Sequence, residues 1–178
     1  MIGRENVLWR GCARGWICSG RLLARATSFT NADARAPSNG GKCFVDTNIL
    51  LYAHDPSAGV KHDRARRVIE QLWQTGEGVL STQVLQELCV NLRRKVARPL
   101  PVDEVRHLIK DYLSWQIFVN TPESVVDAME IEVRYKISFW DALIVQVAES
   151  SGATVLYSED LAAGQKYGTV QVVNPLKG

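Results

Sequence analysis

The 178-residue sequence has no apolar run of about 18 residues, so it offers no segment for a membrane-spanning helix. Its start contains no apolar stretch long enough for a secretory signal. Its four cysteines show neither CxxC spacing nor a paired histidine motif, which argues against a zinc site and favours reduced thiols. The excess of one sign of charge is also small, because the sequence has 21 Lys and Arg residues and 19 Asp and Glu residues. Together these absences predict a cytoplasmic globular protein without a strongly basic surface for nucleic acid.

The net charge of +2 hides an uneven distribution along the chain. Residues 1–42 contain seven basic and two acidic residues, a net charge of +5, whereas residues 43–178 have a net charge of −3. The first part shows no sustained period and ends in the breaker run PSNGG at residues 37–41. We therefore predict a basic leader over residues 1–41 and a working domain over residues 42–178. In composition the leader fits a transit peptide or a nucleic-acid-binding arm, but its lack of periodicity favours a segment outside the working protein.

From residue 43 onward, short apolar runs alternate with segments of helical periodicity. The apolar runs predict five strands, at residues 43–45, 79–81, 117–119, 154–157 and 170–173. The periodic segments predict helices at residues 49–53, 62–75, 82–98, 102–115, 121–135 and 138–151. Strands separated by helices indicate a mainly parallel sheet with helices on both faces. The predicted fold is therefore α/β, a three-layer α/β/α sandwich around a central five-stranded sheet.

Acidic residues follow two of the predicted strands and occupy helices near the same edge of the sheet. Asp46 comes directly after the first strand, and Glu159 and Asp160 come after the fourth. Glu87 lies on the helix after the second strand, and Asp141 in the first turn of the last helix. In open parallel sheets, ligands bind beyond the carboxyl ends of the strands, where these acids could gather. Such a cluster needs a compensating cation, and hard oxygen ligands without Cys or His select Mg²⁺ or Mn²⁺.

Each of these acids also has a simpler interpretation. Asp46 could only cap the helix that follows it, and Asp141 could only be the acid of a helix first turn. Glu87 could be a solvated helix residue, and Glu159 and Asp160 could form a turn. Their convergence at one end of one sheet is what favours a site. A pair of divalent ions about 4 Å apart would suit in-line attack on a phosphodiester.

Four blocks of the sequence, in this order, resemble the PIN-domain family. They are FVDTNILLYA at residues 44–53, Glu87 on its helix, FWDALI at residues 139–144 and LYSEDL at residues 156–161. The resemblance extends over about residues 43–176 and is nearest to the VapC-type branch, the ribonuclease toxins of bacterial toxin–antitoxin pairs. The DTN and WDALI blocks together make it specific, whereas residues 1–42 have no counterpart in the family pattern.

The resemblance implies an endoribonuclease that depends on Mg²⁺ or Mn²⁺. Carried over one by one, its metal-binding and catalytic residues would be Asp46, Glu87, Asp141 and Asp160. Thr47 or Asn48 would support Asp46, and Ser158 would support the far side of the site. The late position is the least defined, since Glu159 is adjacent to Asp160 and could take its place. The resemblance also implies an RNA substrate, a small cognate antitoxin that blocks the site, and a homodimer.

Basic residues must line the approach of a polyanion to an acidic site. Arg94 follows Glu87 by seven residues, two turns along nearly the same stripe, and could hold a phosphate or RNA near the metal. Basic residues at the end of a helix also suit its dipole without any ligand. Residues 64, 66 and 67, all arginines, form a second candidate patch. The tryptophans at positions 73, 115 and 140 are expected in the core or an interface rather than as stacking platforms.

Two other functions compete with the toxin interpretation. An aspartyl-phosphate phosphatase could use Asp46 as nucleophile, but it needs a second acid two residues on, where Asn48 stands. A PIN-like protein could bind or process RNA without any toxin role. Intact acids at all four positions favour cleavage over binding alone.

Overall fold

The structure is a computed structural model and describes residues 41–177. Its strands are β1 (Cys43–Val45), β2 (Gly78–Ser81), β3 (Gln116–Phe118), β4 (Val155–Tyr157), β5 (Lys166–Tyr167) and β6 (Val170–Val173). Its α-helices are α1 (Thr47–Ala53), α2 (Val60–Thr75), α3 (Thr82–Arg94), α4 (Val102–Tyr112), α5 (Pro122–Tyr135) and α6 (Phe139–Ser150), with a short 3₁₀ helix at Pro56–Ala58. The predicted leader, apart from Gly41, lies outside the described residues, so its boundary stays a prediction.

The strands form one sheet in the order β3-β2-β1-β4-β6-β5. All pairs are parallel except β5 with β6, as the alternation of strands and helices predicts. The chain runs outward from β1 to β2 and β3, and then returns to the other side of β1 as β4. The direction of winding therefore reverses between β1 and β4, which is where open α/β sheets form their ligand crevice.

The prediction of five strands is wrong, because the sheet within residues 41–177 has six. The additional strand is β5, whose two residues pair antiparallel with the first half of β6. Gly168, with φ of 56°, provides the left-handed conformation that a two-residue hairpin turn needs between them. A strand of two residues is too short to show a period, so only the tertiary pairing reveals it.

The core lies on both faces of the central strands. Every residue of β1, β2 and β4 is buried, which requires helices on both sides of the sheet. Helices α5 and α6 pack on each other around a smaller apolar cluster of Ala128, Ala142 and Leu143. Of the three tryptophans expected in the core or an interface, Trp73 and Trp115 belong to the main core, whereas Trp140 is 63% exposed.

Helix α3 ends at Arg94, four residues earlier than the sequence pattern predicts. Prolines at positions 99 and 101 disfavour helical conformation in the residues before them, so the chain turns back early. The backbone amide of Leu100 then donates to the carbonyl of Leu92 at 2.9 Å. No helix within residues 41–177 is long and apolar enough to cross a membrane.

Candidate active site

Asp46 begins the site, at the point where β1 ends. Its backbone is extended, and its Oδ1 accepts a hydrogen bond from the backbone amide of Thr47 at 2.6 Å, which caps helix α1. The backbone amide of Asp46 donates to the carbonyl of Tyr157, so the pairing of β1 with β4 continues one residue beyond the strands. This places Ser158 beside Asp46, and the Ser158 hydroxyl donates to Asp46 Oδ2 at 2.8 Å.

The Asp46 carboxylate is buried, and no Lys or Arg of residues 41–177 forms an ion pair with it. Burial raises its pKa to about 6, and the negative charges of Asp160 and Glu87 act in the same direction. The hydrogen bonds from Ser158 and Thr47 oppose this rise and offset only part of it. A bound cation would stabilise the charged form of a carboxyl group held in this way.

Glu87 reaches the site from the second turn of α3. Its Oε2 accepts a hydrogen bond from the Thr47 hydroxyl at 2.7 Å, and its Oε1 accepts one from Gln83 Nε2 at 3.0 Å. Thr47 therefore joins two acids, since its amide binds Asp46 and its hydroxyl binds Glu87. Glu87 is partly buried and hydrogen-bonded at both oxygens, which is not the environment of a solvated helix residue.

Asp160 approaches from the far side, after β4. Its Oδ2 accepts a hydrogen bond from Asn48 Nδ2 at 2.7 Å, and its backbone amide donates to the Ser158 hydroxyl at 3.2 Å. Ser158 is fully buried and so connects Asp160 with Asp46. We call the connected set the acid network, comprising Asp46, Thr47, Asn48, Glu87, Ser158 and Asp160.

Glu159, the alternative to Asp160, is engaged elsewhere. Its carboxylate forms an ion pair with Lys61 of α2, and the Lys61 ammonium also lies over the ring of Tyr52. Only Asp160 of the two neighbouring acids is joined to the acid network through hydrogen bonds. The geometry therefore favours Asp160 at the position that the sequence left open.

Asp141 lies at the start of α6 and interacts first with its own helix cap. The Ser138 hydroxyl donates to Asp141 Oδ2 at 2.7 Å and accepts from the Asp141 amide at 3.1 Å. The capping interpretation of Asp141 is thus realised in the structure. The side chain of Gln83 connects the start of α6 with the acid network, because its Nε2 lies 3.5 Å from the carbonyl oxygen of Trp140 and 3.0 Å from Glu87 Oε1. Sequence reasoning missed Gln83, although its spacing of four residues before Glu87 is the signal of a helical side-chain pair.

The candidate phosphate-binding arginines have different environments. Arg94 is exposed at the last residue of α3, and its role stays a prediction. In the second patch, Arg64 donates to the carbonyl of Leu176, and Arg66 pairs with Glu70 at 2.7 Å. These two arginines already have partners within the chain, so the second patch is less suited to RNA than Arg94.

A model of the PIN-domain family matches residues 43–166 of the chain. The chain belongs to the PIN-domain family. The matched residues contain β1 to β4, the first residue of β5, three of the network acids and Asp141. Among curated proteins, no match is found.

Solved structures with the same fold include a toxin, a toxin–antitoxin complex and a third protein, FitAcB. VapC20 of Mycobacterium tuberculosis, a toxin that cleaves the sarcin–ricin loop, has 23% identity and a TM-score of 0.53, covering 67% of this chain and 90% of its own. A toxin–antitoxin complex from Klebsiella pneumoniae has 17% identity and a TM-score of 0.57, covering 75% and 98%. FitAcB from Neisseria gonorrhoeae has 16% identity and a TM-score of 0.51, covering 75% and 97%. At these identities the likeness concerns the fold of the PIN domain.

The donor groups of the acid network suit a divalent cation, but no three of its carboxylates lie close enough together to hold one. Its side chains offer carboxylate, hydroxyl and amide groups, with neither imidazole nor thiol, which is the donor set of Mg²⁺ and Mn²⁺. Burial and the charges of Asp160 and Glu87 raise the pKa of Asp46, so a bound cation would stabilise its charged form. Within residues 41–177, however, no three His, Cys, Asp or Glu side chains are placed closely enough to hold an ion. The hydroxyl and amide groups between the acids hold them apart, so an ion would have to draw them together.

Proposed function

We propose that this PIN domain is a metal-dependent endoribonuclease. The observation that carries the proposal is the group of acids at the crevice between β1 and β4, which lack basic partners. Three ion pairs are formed within residues 41–177, Lys61–Glu159, Arg66–Glu70 and Arg106–Asp103, and none of them involves Asp46, Glu87, Asp141 or Asp160. Uncompensated carboxylates at a ligand crevice are expected where a cation binds.

The residues of the chain would hold and orient the ion and the substrate. Asp46, Glu87 and Asp160 would provide oxygens from the acid network, and Asp141 would add a fourth carboxylate from α6. When bound, Mg²⁺ or Mn²⁺ supplies polarisation of the phosphodiester and activation of water for in-line hydrolysis. Ser158 donates to Asp46 and Thr47 donates to Glu87, so these hydroxyl groups would orient the two carboxylates for the ion.

The proposal is tested with the full chain, purified free of any partner, on fluorescent RNA and on DNA of the same sequence. We expect internal cleavage of the RNA with Mg²⁺ or Mn²⁺ and none with EDTA. Loss of a residue that hydrogen-bonds to a metal ligand typically lowers metal affinity or activity about 10- to 100-fold, and loss of the ligand itself should cost more. We therefore expect Asp46→Asn to lower kcat/KM at least about 100-fold. Asp63→Asn, which changes an exposed acid on α2, serves as control and should cleave like the wild type. Absence of RNA cleavage by the metal-supplied wild type would refute the proposal.

The proposal includes a role as the toxin of a toxin–antitoxin pair. It is supported by the match to the PIN family together with two of the similar structures, one a toxin and the other a toxin–antitoxin complex. A small antitoxin is the expected partner, and the protein is expected to act as a homodimer.

The geometry disfavours an aspartyl-phosphate phosphatase. A nucleophilic aspartate needs an accessible oxygen, but Asp46 is 8% exposed and both of its oxygens already accept hydrogen bonds. Asn48, at the position of the required acid, directs its amide to Asp160 instead.

A further inference from the structure

Gln83 is a buried amide between the two helices that carry Glu87 and Asp141. It is the second residue of α3 and is 6% exposed. Its Nε2 lies 3.0 Å from Glu87 Oε1 and 3.5 Å from the carbonyl oxygen of Trp140. Both partners only accept hydrogen bonds, so the orientation of the Gln83 side chain is determined, with its NH₂ group toward them.

This orientation leaves the other end of the amide unsatisfied. Gln83 Oε1 is buried and has no hydrogen-bond partner among the described residues. An unsatisfied buried acceptor costs about 1–3 kcal/mol, which an apolar side chain of similar size would avoid. Packing alone therefore gives no reason for glutamine at this position. The contacts of its NH₂ group do give a reason.

The contact with Trp140 bears directly on Asp141, because the two residues share one peptide group. The carbonyl oxygen of that peptide accepts from Gln83, and its N–H donates to the Ser138 hydroxyl. The peptide is therefore held from both of its polar ends, one from α3 and one from the cap of α6. Asp141 has no direct hydrogen bond to the acid network within residues 41–177, so this peptide is its connection to Glu87.

We propose that Gln83 is a positioning residue that ties Glu87 to the start of α6 and so places Asp141 in the site. The inference rests on the proposed nuclease function. Gln83 acts through Glu87 and Asp141 and does not itself touch the reacting atoms. Its removal should weaken the binding of the ion and slow the chemical step, whereas the affinity for RNA should change little.

The decisive variant is Gln83→Met, which keeps the volume of the side chain and removes both NH₂ contacts. Gln86→Met is the matched control, because Gln86 is an exposed glutamine on the same helix. We expect Gln83→Met to bind Mn²⁺ about 10- to 100-fold more weakly by calorimetry without RNA, the range for partners of metal ligands. Its kcat should fall by a similar factor while KM for RNA stays within about twofold, and its Tm in EDTA should not decrease. Gln86→Met should match the wild type in all four measurements.

A second comparison separates positioning from a structural role. If Gln83 acts through Asp141, then Gln83→Met should lower kcat much less in an Asp141→Asn background than in the wild type. If Gln83→Met does not fold, Gln83→Glu keeps the shape, lacks the NH₂ group and should show the same losses. Equal Mn²⁺ affinity and kcat in Gln83→Met and Gln86→Met would refute the inference while leaving the nuclease proposal intact. A wild type that binds no Mn²⁺ and cuts no RNA would refute the nuclease proposal itself.

Discussion

The side chain of Asp46 is 8% exposed, and its charged form is disfavoured first by burial and then by the charges of Asp160 and Glu87. Two hydrogen bonds, from Ser158 and Thr47, hold it in place at this cost. In the absence of a cation the folded protein is therefore less stable than it would be with a neutral side chain at this position. This cost is typical of functional sites, where stability is given up for a charge that a ligand requires.

At the scale of this residue, we expect Asp46→Asn to be more stable than the wild type in EDTA at neutral pH. The folded carboxyl has a pKa of about 6, against the ordinary value of 3.8, so between these pH values the folded protein holds more protons than the unfolded chain. The free energy of unfolding of the wild type therefore falls as pH rises through this range, whereas that of the variant does not. The stability of the variant relative to the wild type should therefore increase by about 2 kcal/mol between pH 4 and pH 7.5.

Urea unfolding of both proteins between pH 4 and 8, in EDTA, measures this difference. Asp63→Asn provides the control for a change of net charge and should show no such dependence, since Asp63 is exposed. A variant that is less stable than the wild type at pH 7.5 would contradict the expected cost of the buried charge.

At the scale of elements, the start of α6 combines two functions in one hydroxyl group. Ser138 caps the helix by accepting from the Asp141 amide, and it also donates to the Asp141 carboxylate. The sequence predicts Asp141 as an acid in the first turn of this helix, and the structure confirms that position. Whether Asp141 also serves the active site depends on its orientation, which this cap and Gln83 determine together.

We expect Ser138→Ala to lower stability by about 1 kcal/mol, the usual cost of losing an N-cap, and to lower kcat as well. Thr121→Ala is the matched control, because Thr121 caps α5 through its hydrogen bond with Ser124 and touches none of the acids. Its loss of stability should be similar, with cleavage unchanged. Chemical denaturation and RNA cleavage measure the two effects. Equal cleavage by both variants would show that the Ser138 hydroxyl does not orient Asp141 for function.

At the scale of the whole molecule, the site exists because the winding of the sheet reverses between β1 and β4. The register pairs Val45 with Tyr157, so the residues that follow these strands are neighbours although they are far apart in sequence. Asp46 and Ser158 are separated by 112 positions and share a hydrogen bond. Topology therefore brings Asp46, Ser158 and Asp160 together, and helix α3 adds Glu87 to the acid network.

For the protein as a whole, we expect toxicity to a bacterial host and assembly into a homodimer. Expression of the full chain in a bacterial host should arrest growth, and coexpression of a small protein encoded next to it should restore growth. Asp46→Asn should not arrest growth but should still bind that partner. Light scattering should give twice the single-chain mass of 19.8 kDa. Normal growth with a protein that cleaves RNA in vitro would favour an RNA-processing role over a toxin role.

Much of the site could be predicted residue by residue, but its internal contacts could not. The acids Asp46, Glu87 and Asp160 were predicted because two of them follow strand ends and their sequence blocks are typical of a family. Their partners are distant in sequence, as for Thr47 and Glu87, which are 40 positions apart. The choice of Asp160 over Glu159 likewise depends on Lys61, which lies 98 positions before Glu159.

Local sequence patterns account for the mainly parallel α/β fold and for the choice of candidate acids, because hydrophobic periodicity and motif spacing act over a few neighbouring residues. Contacts between distant residues, which exist only in the folded chain, establish which hydroxyl serves which acid, that Gln83 links α3 to α6, and that Lys166–Tyr167 forms a sixth strand. These features depend on groups that meet after the sheet has formed, and no local pattern encodes them. The same folding that brings Asp46 beside Ser158 and Thr47 also buries it and raises its pKa.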